Sequence, residues 1–192
     1  LQIRDAAHRW QVARAGVVDL QSTGPGLRLA GLSWAPEGQA AGTTGPTCIV
    51  LVHGIGDAAT TWRKILADRS WLGKIPEPVR LLAWELPGHG LSERPAATAE
   101  GTSQLESRQM AVRLLEATDR AGCTGRSVWV GNSLGGWVAA WAALLKPEKL
   151  RGLVLLAPAR LAVQADPAGS VAKGARALAE PSVAAVRDFW AR

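Results

Sequence analysis

Unbroken apolar runs dominate the middle of the chain. Residues 48–52, Cys48-Ile49-Val50-Leu51-Val52, and residues 152–157, Gly152-Leu153-Val154-Leu155-Leu156-Ala157, have no polar position. Such runs mark strands covered on both faces of a parallel sheet. Residues 79–84 and 127–130 are read as further strands, the former stopped by Pro87-Gly88. Residues 10–20 and 27–34 alternate instead, and Gly24-Pro25-Gly26 between them predicts two short strands joined by a turn. Residues 60–72 predict a helix with Trp62, Leu66 and Trp71 facing the core. Met110, Leu114, Ala117 and Ala121 recur at helical spacing, with Ser103 and Glu106 as the capping box and Gly122 as the stop. Residues 137–145 are apolar nearly all round, which predicts a buried helix ended by Lys146-Pro147. Residues 35–46 read as a loop, and residues 168–180 and 181–190 as two short, weakly amphipathic helices. Strands alternating with helices predict an α/β fold, with a mostly parallel sheet flanked by helices.

Composition changes this picture little. The chain has 192 residues, 47% apolar and 20% charged, enough for one domain with a real core. Its net charge of +6 raises the question of a nucleic-acid or membrane partner. The arginines are interleaved with acids, as in Arg4-Asp5, Glu93-Arg94 and Arg187-Asp188, and no basic run stands out. A solvated surface without a nucleic-acid partner is therefore expected. The two cysteines, Cys48 and Cys123, are read as free thiols in a reducing compartment. There is no charged-then-apolar leader pattern and no apolar run near ~18 residues, so a cytoplasmic protein without a membrane span is expected. Leu1 in place of Met is read as an incomplete start.

The candidate chemistry lies in Val128-Trp129-Val130-Gly131-Asn132-Ser133-Leu134-Gly135-Gly136. This is Gly-x-Ser-x-Gly between an apolar strand and a small-residue helix, the setting of a nucleophile elbow. Ser133 is the candidate nucleophile. Gly131 and Gly135 are there because the turn is strained and its neighbours pack close. Serine needs a base to take its proton and donors to hold the developing oxyanion. The backbone N–H of Leu134 is one candidate donor, and that of Ile55, in His53-Gly54-Ile55-Gly56 after an earlier strand, is the other. His53 is read as a structural histidine bonded to its own loop, and His89, in Leu86-Pro87-Gly88-His89-Gly90-Leu91-Ser92, as turn architecture near the pocket. His8 lies near the terminus. Asp166, before Pro167, is read as a turn rather than a catalytic acid. Trp62, Trp137 and Trp141 are candidates for pocket lining or for core. No metal and no cofactor is expected.

Three motifs in order, His53-Gly54 with its loop, Leu86 to Ser92, and Gly131 to Gly136, resemble the serine-nucleophile branch of the α/β-hydrolases. The resemblance covers residues 10–158. It implies an α/β-hydrolase-like sheet, Ser133 as nucleophile, Ile55 and Leu134 as oxyanion donors, and a small-molecule acyl substrate. Serine at the elbow argues against the dehalogenase and epoxide-hydrolase branches, which use aspartate there. Glu85 stands where many relatives have Asp. The family's acid and histidine come after two further strands, and this sequence has no matching positions for them. The expectation is therefore a hydrolase core over residues 1–158 and the start of a helical cap over 159–192, with the sheet incomplete after the sixth strand. Such a chain should be an inactive or weakly active ester, thioester or carbon–carbon hydrolase. The alternatives are a non-catalytic hydrolase-like binding protein, or a half-enzyme completed in trans.

Overall fold

A computed structural model describes residues 2–24, 27–36, 47–96 and 106–159. Within them the chain forms α1 (Gln2–Ala13), β1 (Val18–Gly24), β2 (Leu27–Trp34), β3 (Thr47–Val52), α2 (Arg63–Ala67), β4 (Val79–Trp84), α3 (Ser107–Arg120), β5 (Ser127–Asn132), α4 (Leu134–Leu145) and β6 (Leu150–Leu156). Short 3₁₀ turns precede and follow α2, at Ala59–Trp62 and Ser70–Lys74, and a third, Pro147–Lys149, precedes β6.

The six strands form one sheet in the order β1-β2-β4-β3-β5-β6. β1 and β2 are an antiparallel pair, and β2 also meets β4 antiparallel. β4, β3, β5 and β6 run parallel, as the alternation of strands and helices predicts. Alternate side chains on these strands feed two separate cores. Val50, Val52, Trp84 and Trp129 pack with Met110, Leu114 and Ala117 of α3 and Val138, Ala139 and Ala142 of α4. Ile49, Leu51, Leu81 and Ala83 pack on the other face with Val12 of α1, Ala59, Trp62 and Leu66. The two largest buried rings also satisfy their polar atoms. The indole N–H of Trp84 donates to Thr118 Oγ1 at 3.0 Å, and that of Trp129 to Ser127 Oγ at 2.9 Å.

Four expectations need correction. Residues 10–13 are helical rather than a strand, and Trp10 lies on α1. Residues 2–13 are rich in alanine, arginine and glutamine, good helix formers. Gly16, at φ 74°, turns the chain out of the helix before β1. The helix expected over 60–72 is broken into two 3₁₀ turns and the short α2, with Trp62 and Leu66 buried and Trp71 only half-buried. The cap of α3 lies three residues further on: Glu106 is the N-cap and forms a reciprocal capping box with Gln109. Ser103 falls outside the described residues, as do Pro25, Gly26, most of the 35–46 loop, Asp166 and the helices expected over 168–180 and 181–190.

The fourth correction is chemical. Cys48 and Cys123 are not free thiols; they form a disulfide across 75 residues of sequence, with Cα atoms 6.0 Å apart. It joins the start of β3 to the turn after α3, both sulfurs are buried, and they pack against Leu82. Disulfides persist in oxidising compartments and are rare in the cytosol. The pair therefore removes the support that free thiols gave to a cytoplasmic setting. No helix of the described residues is long and apolar enough to cross a membrane.

β6 is an edge of the sheet among the described residues, although its sequence suits a central strand. Leu153, Val154 and Leu156 are 37–44% exposed there. Bare apolar edges template pairing with other chains.

Two outcomes follow for the 1–192 chain. Replacing both cysteines by alanine should lower stability by about 2–4 kcal/mol, read from urea unfolding of oxidised wild type and variant. Equal midpoints and slopes would mean that the disulfide does not form. The chain should also self-associate at high concentration in gel filtration, and substituting lysine at Val154 should reduce this. A sharp monomer peak for the wild type at all concentrations would rule out a sticky edge.

Candidate active site

Register brings the candidate residues to one end of the sheet. Val52 lies opposite both Trp84 and Gly131, and Asn132 lies opposite Leu156. The loops that leave β3, β4, β5 and β6 therefore emerge side by side at the carboxyl ends of parallel strands, where open α/β sheets bind ligands.

Ser133 stands alone between β5 and α4, at φ 51° and ψ −116°. A residue with a Cβ adopts such a conformation at a cost of about 1–3 kcal/mol, and only when its surroundings enforce it. The surroundings here are unusually tight. A Cβ on Gly131 would fall 2.6 Å from the Cα of Gly136, and one on Gly135 would fall 2.6 Å from the carbonyl carbon of Val52. Neither position admits any other residue without moving backbone. The peptide groups of Ser133 are also bonded on both sides. Its N–H donates to Leu156 O at 2.9 Å. Its carbonyl accepts the N–H groups of Gly136 at 3.0 Å, Trp137 at 3.2 Å and Ala159 at 2.9 Å. The segment after β6, which turns at Ala157 (φ 41°), thus ties down the elbow. Nothing in the sequence pattern signals this segment, because its contribution is made by backbone atoms.

Gly54 packs directly against the serine: a Cβ there would lie 3.2 Å from Ser133 Cβ and 3.4 Å from Asn132 Nδ2. Ile55 and Gly56 (φ 72°) then form an exposed turn. Neither the Ile55 N–H nor the Leu134 N–H donates to a backbone acceptor among the described residues. Leu134 opens α4, where orphan N–H groups and the helix dipole favour negative charge.

His53 is fully buried behind this loop. Its Nδ1 lies 2.6 Å from Gly54 O, and its Nε2 accepts the Leu86 N–H at 3.1 Å. A carbonyl only accepts and an amide only donates, so the ring is the neutral tautomer with the proton on Nδ1. His89 is half-buried; its Nδ1 donates to Pro87 O at 3.1 Å, and its ring lies 5.4 Å from that of His53. No hydrogen-bond partner of Ser133 Oγ occurs among the described residues. Trp137 and Trp141 meet edge to face on α4 at 5.9 Å and are half-buried. Trp62 lies instead in the core on the α1 side of the sheet, its indole N–H without a partner among the described residues. The described residues hold no cluster of histidine, cysteine or carboxylate side chains able to bind a metal ion.

Comparison with known proteins shows the family. The model of the alpha/beta hydrolase family matches residues 49–192. A pimeloyl-[acyl-carrier protein] methyl ester esterase of Pectobacterium carotovorum is 34% identical over 130 residues, which is 67% of this chain and 42% of that protein. An esterase of the same description from Edwardsiella ictaluri is 36% identical over 111 residues, 57% of this chain and 35% of its own length. The chain thus spans well under half the length of these curated relatives. Among solved structures, a membrane phospholipase A described as a bacterial virulence factor superposes with a TM-score of 0.69 at 21% identity, over 96% of this chain and 54% of that one. An epoxide hydrolase from an endophytic Streptomyces gives 0.58 at 24% identity, over 73% and 37% of the two chains. At these identities the structural likeness is one of fold. The family match runs from β3 through the elbow to residue 192, and the chain belongs to the alpha/beta hydrolase family.

Proposed function

We propose that this protein is an ester hydrolase whose nucleophile is Ser133. Its Oγ attacks the acyl carbon, and the carbonyl oxygen becomes an oxyanion held by the N–H groups of Ile55 and Leu134. The serine proton passes to the departing alcohol or thiol as the tetrahedral carbon collapses, and water then hydrolyses the acyl-serine, releasing the acid and returning a proton to Ser133 Oγ. The observation that carries this reading is the conformation of Ser133, at φ 51° with no room for a Cβ on Gly131 or Gly135. Strain of that kind is kept where it serves a function. The esterase relatives, named for a pimeloyl methyl ester, favour a carboxylic ester of a small acyl group.

His53 is not the base in this reading, since both its ring nitrogens are engaged in the loop. His89 holds its turn, and His8 lies on α1. Residues 1–158 act as the catalytic core and 159–192 as the opening of a helical cap. The nucleophile and the oxyanion donors then stand without a general base among the described residues.

The experiment is labelling with a fluorophosphonate alongside ester turnover. Residues 1–192 should label slowly at Ser133, and Ser133→Ala should not label. Loss of a triad member leaves roughly 10³–10⁴-fold acceleration over water from the oxyanion hole and binding. Turnover of a short-chain ester should accordingly sit near the detection limit and change little in Ser133→Ala. Turnover at about 1 s⁻¹ or more, abolished by Ser133→Ala, would make one of the three histidines the base. Rapid labelling at another residue would remove Ser133 from its role.

A further inference from the structure

We propose that Arg9, on the N-terminal helix, is a positioning residue for the Ser133 site, acting through the buried carboxylate of Glu85; the inference rests on the hydrolase reading. Glu85 directly follows β4 and is fully buried. A carboxylate without water around it needs both a counter-charge and donors for its oxygens. Arg9 supplies the charge: its Nη2 pairs with Glu85 Oε1, and its Nη1 lies 2.6 Å from Asp19 Oδ1 at the start of β1. The second oxygen, Oε2, accepts the backbone N–H of Leu91. Gly90, at φ 53°, lies against the same carboxylate, where a Cβ would come within 2.7 Å of Oε1. The main chain of Glu85 is fixed too. Its N–H donates to Ala30 O at 2.9 Å, and its carbonyl accepts the Ser92 hydroxyl at 2.8 Å.

The charge pair thus closes the loop from Leu86 to Ser92 onto a single point. That loop passes its order to the active site through its first residue. The Leu86 N–H donates to His53 Nε2, His53 Nδ1–H donates to Gly54 O, and Gly54 lies against Ser133. A continuous path of bonds runs from α1 to the turn that presents the Ile55 N–H. Arg9 touches no substrate in this scheme. It holds the loop in which the imidazole of His53 has its acceptor role, and that imidazole holds the oxyanion turn.

Removing Arg9 alone leaves a buried carboxylate without its counter-charge. Neutralising Glu85 as well, with the isosteric glutamine, removes the uncompensated buried charge and leaves an amide whose oxygen can still accept the Leu91 N–H. The test compares wild type, Arg9→Gln, Arg9→Lys and the double variant Arg9→Gln/Glu85→Gln in the 1–192 chain. Three quantities are measured: the rate constant of fluorophosphonate labelling at Ser133, hydrogen exchange of the Leu86 and Leu91 amides, and the ring ¹⁵N shifts of His53. Arg9→Gln should label about tenfold more slowly or worse, as expected for misplaced oxyanion donors. It should lose protection at both amides, and its His53 Nε2 shift should move away from that of a hydrogen-bonded acceptor. Arg9→Lys should restore part of the labelling rate, and the double variant should restore the amides, the ring signature and most of the rate. Arg9→Gln with wild-type labelling and an unchanged His53 signature would overturn the proposal. So would a double variant that melts like the wild type yet labels as slowly as Arg9→Gln. Absence of labelling at Ser133 in the wild type, with the amides and ring behaving as stated, would instead defeat the hydrolase reading, and the positioning role would fall with it.

Discussion

Ser133 sits at φ 51° and ψ −116°, a conformation that costs about 1–3 kcal/mol and has to be enforced from outside the turn. The enforcement comes from three directions. Gly131 and Gly135 let β5, α4 and the end of β3 approach within distances that no side chain tolerates. Leu156 and Ala159 bond the serine's own peptide groups from the side of β6. Gly54 closes the third side against its Cβ. The parallel register of β3, β5 and β6 puts all of these groups at one level of the sheet. The two cores on either face hold that register, so packing far from the site is what keeps the serine raised above it.

A second constraint is electrostatic and lies one strand further along. Glu85 is a buried carboxylate at the carboxyl end of β4, with Arg9 and the Leu91 N–H on its two oxygens. Breaking such a pair by removing one partner typically costs about 3–5 kcal/mol, far more than a surface ion pair contributes. The elbow and the Glu85 loop meet at His53, whose two ring nitrogens are bonded to one neighbour on each side. His53 is therefore better described as the joint between two loops than as a proton carrier. An N-terminal helix that looks peripheral in chain order is connected by this joint to the turn beside Ser133.

Much of this was legible in the sequence where the information is local. β4 has the bounds that its apolar run predicts, and the elbow lies where Gly-x-Ser-x-Gly places it. Gly122 ends α3 at φ 87° as expected. What was not legible depends on residues far apart in the chain. Cys48 and Cys123 are separated by 75 positions, and only the fold brings them together. Glu85 is readable as a departure from a more usual aspartate, but its partner Arg9 lies just before residues 10–20, whose alternation suggested a strand, and nothing local to it pointed to a site 76 positions away. The helix over 60–72 failed for a different reason. Its apolar spacing is right for Trp62 and Leu66, yet Asp68 ends α2 in an extended conformation and turns the chain at Ser70. The hold of Ala159 and Leu156 on Ser133 is made wholly by backbone atoms and leaves no trace in residue type.

In the proposed reading the strained serine and the two N–H groups of Ile55 and Leu134 form one preorganised site. The most direct measurement is a crystal structure of the chain after reaction with a fluorophosphonate. Phosphorus should lie on Ser133 Oγ, with one phosphonyl oxygen about 2.7–3.1 Å from both the Ile55 and the Leu134 nitrogens. Phosphorus on Ser133 with that oxygen turned to solvent, or a Ser133 relaxed to a negative φ, would contradict it.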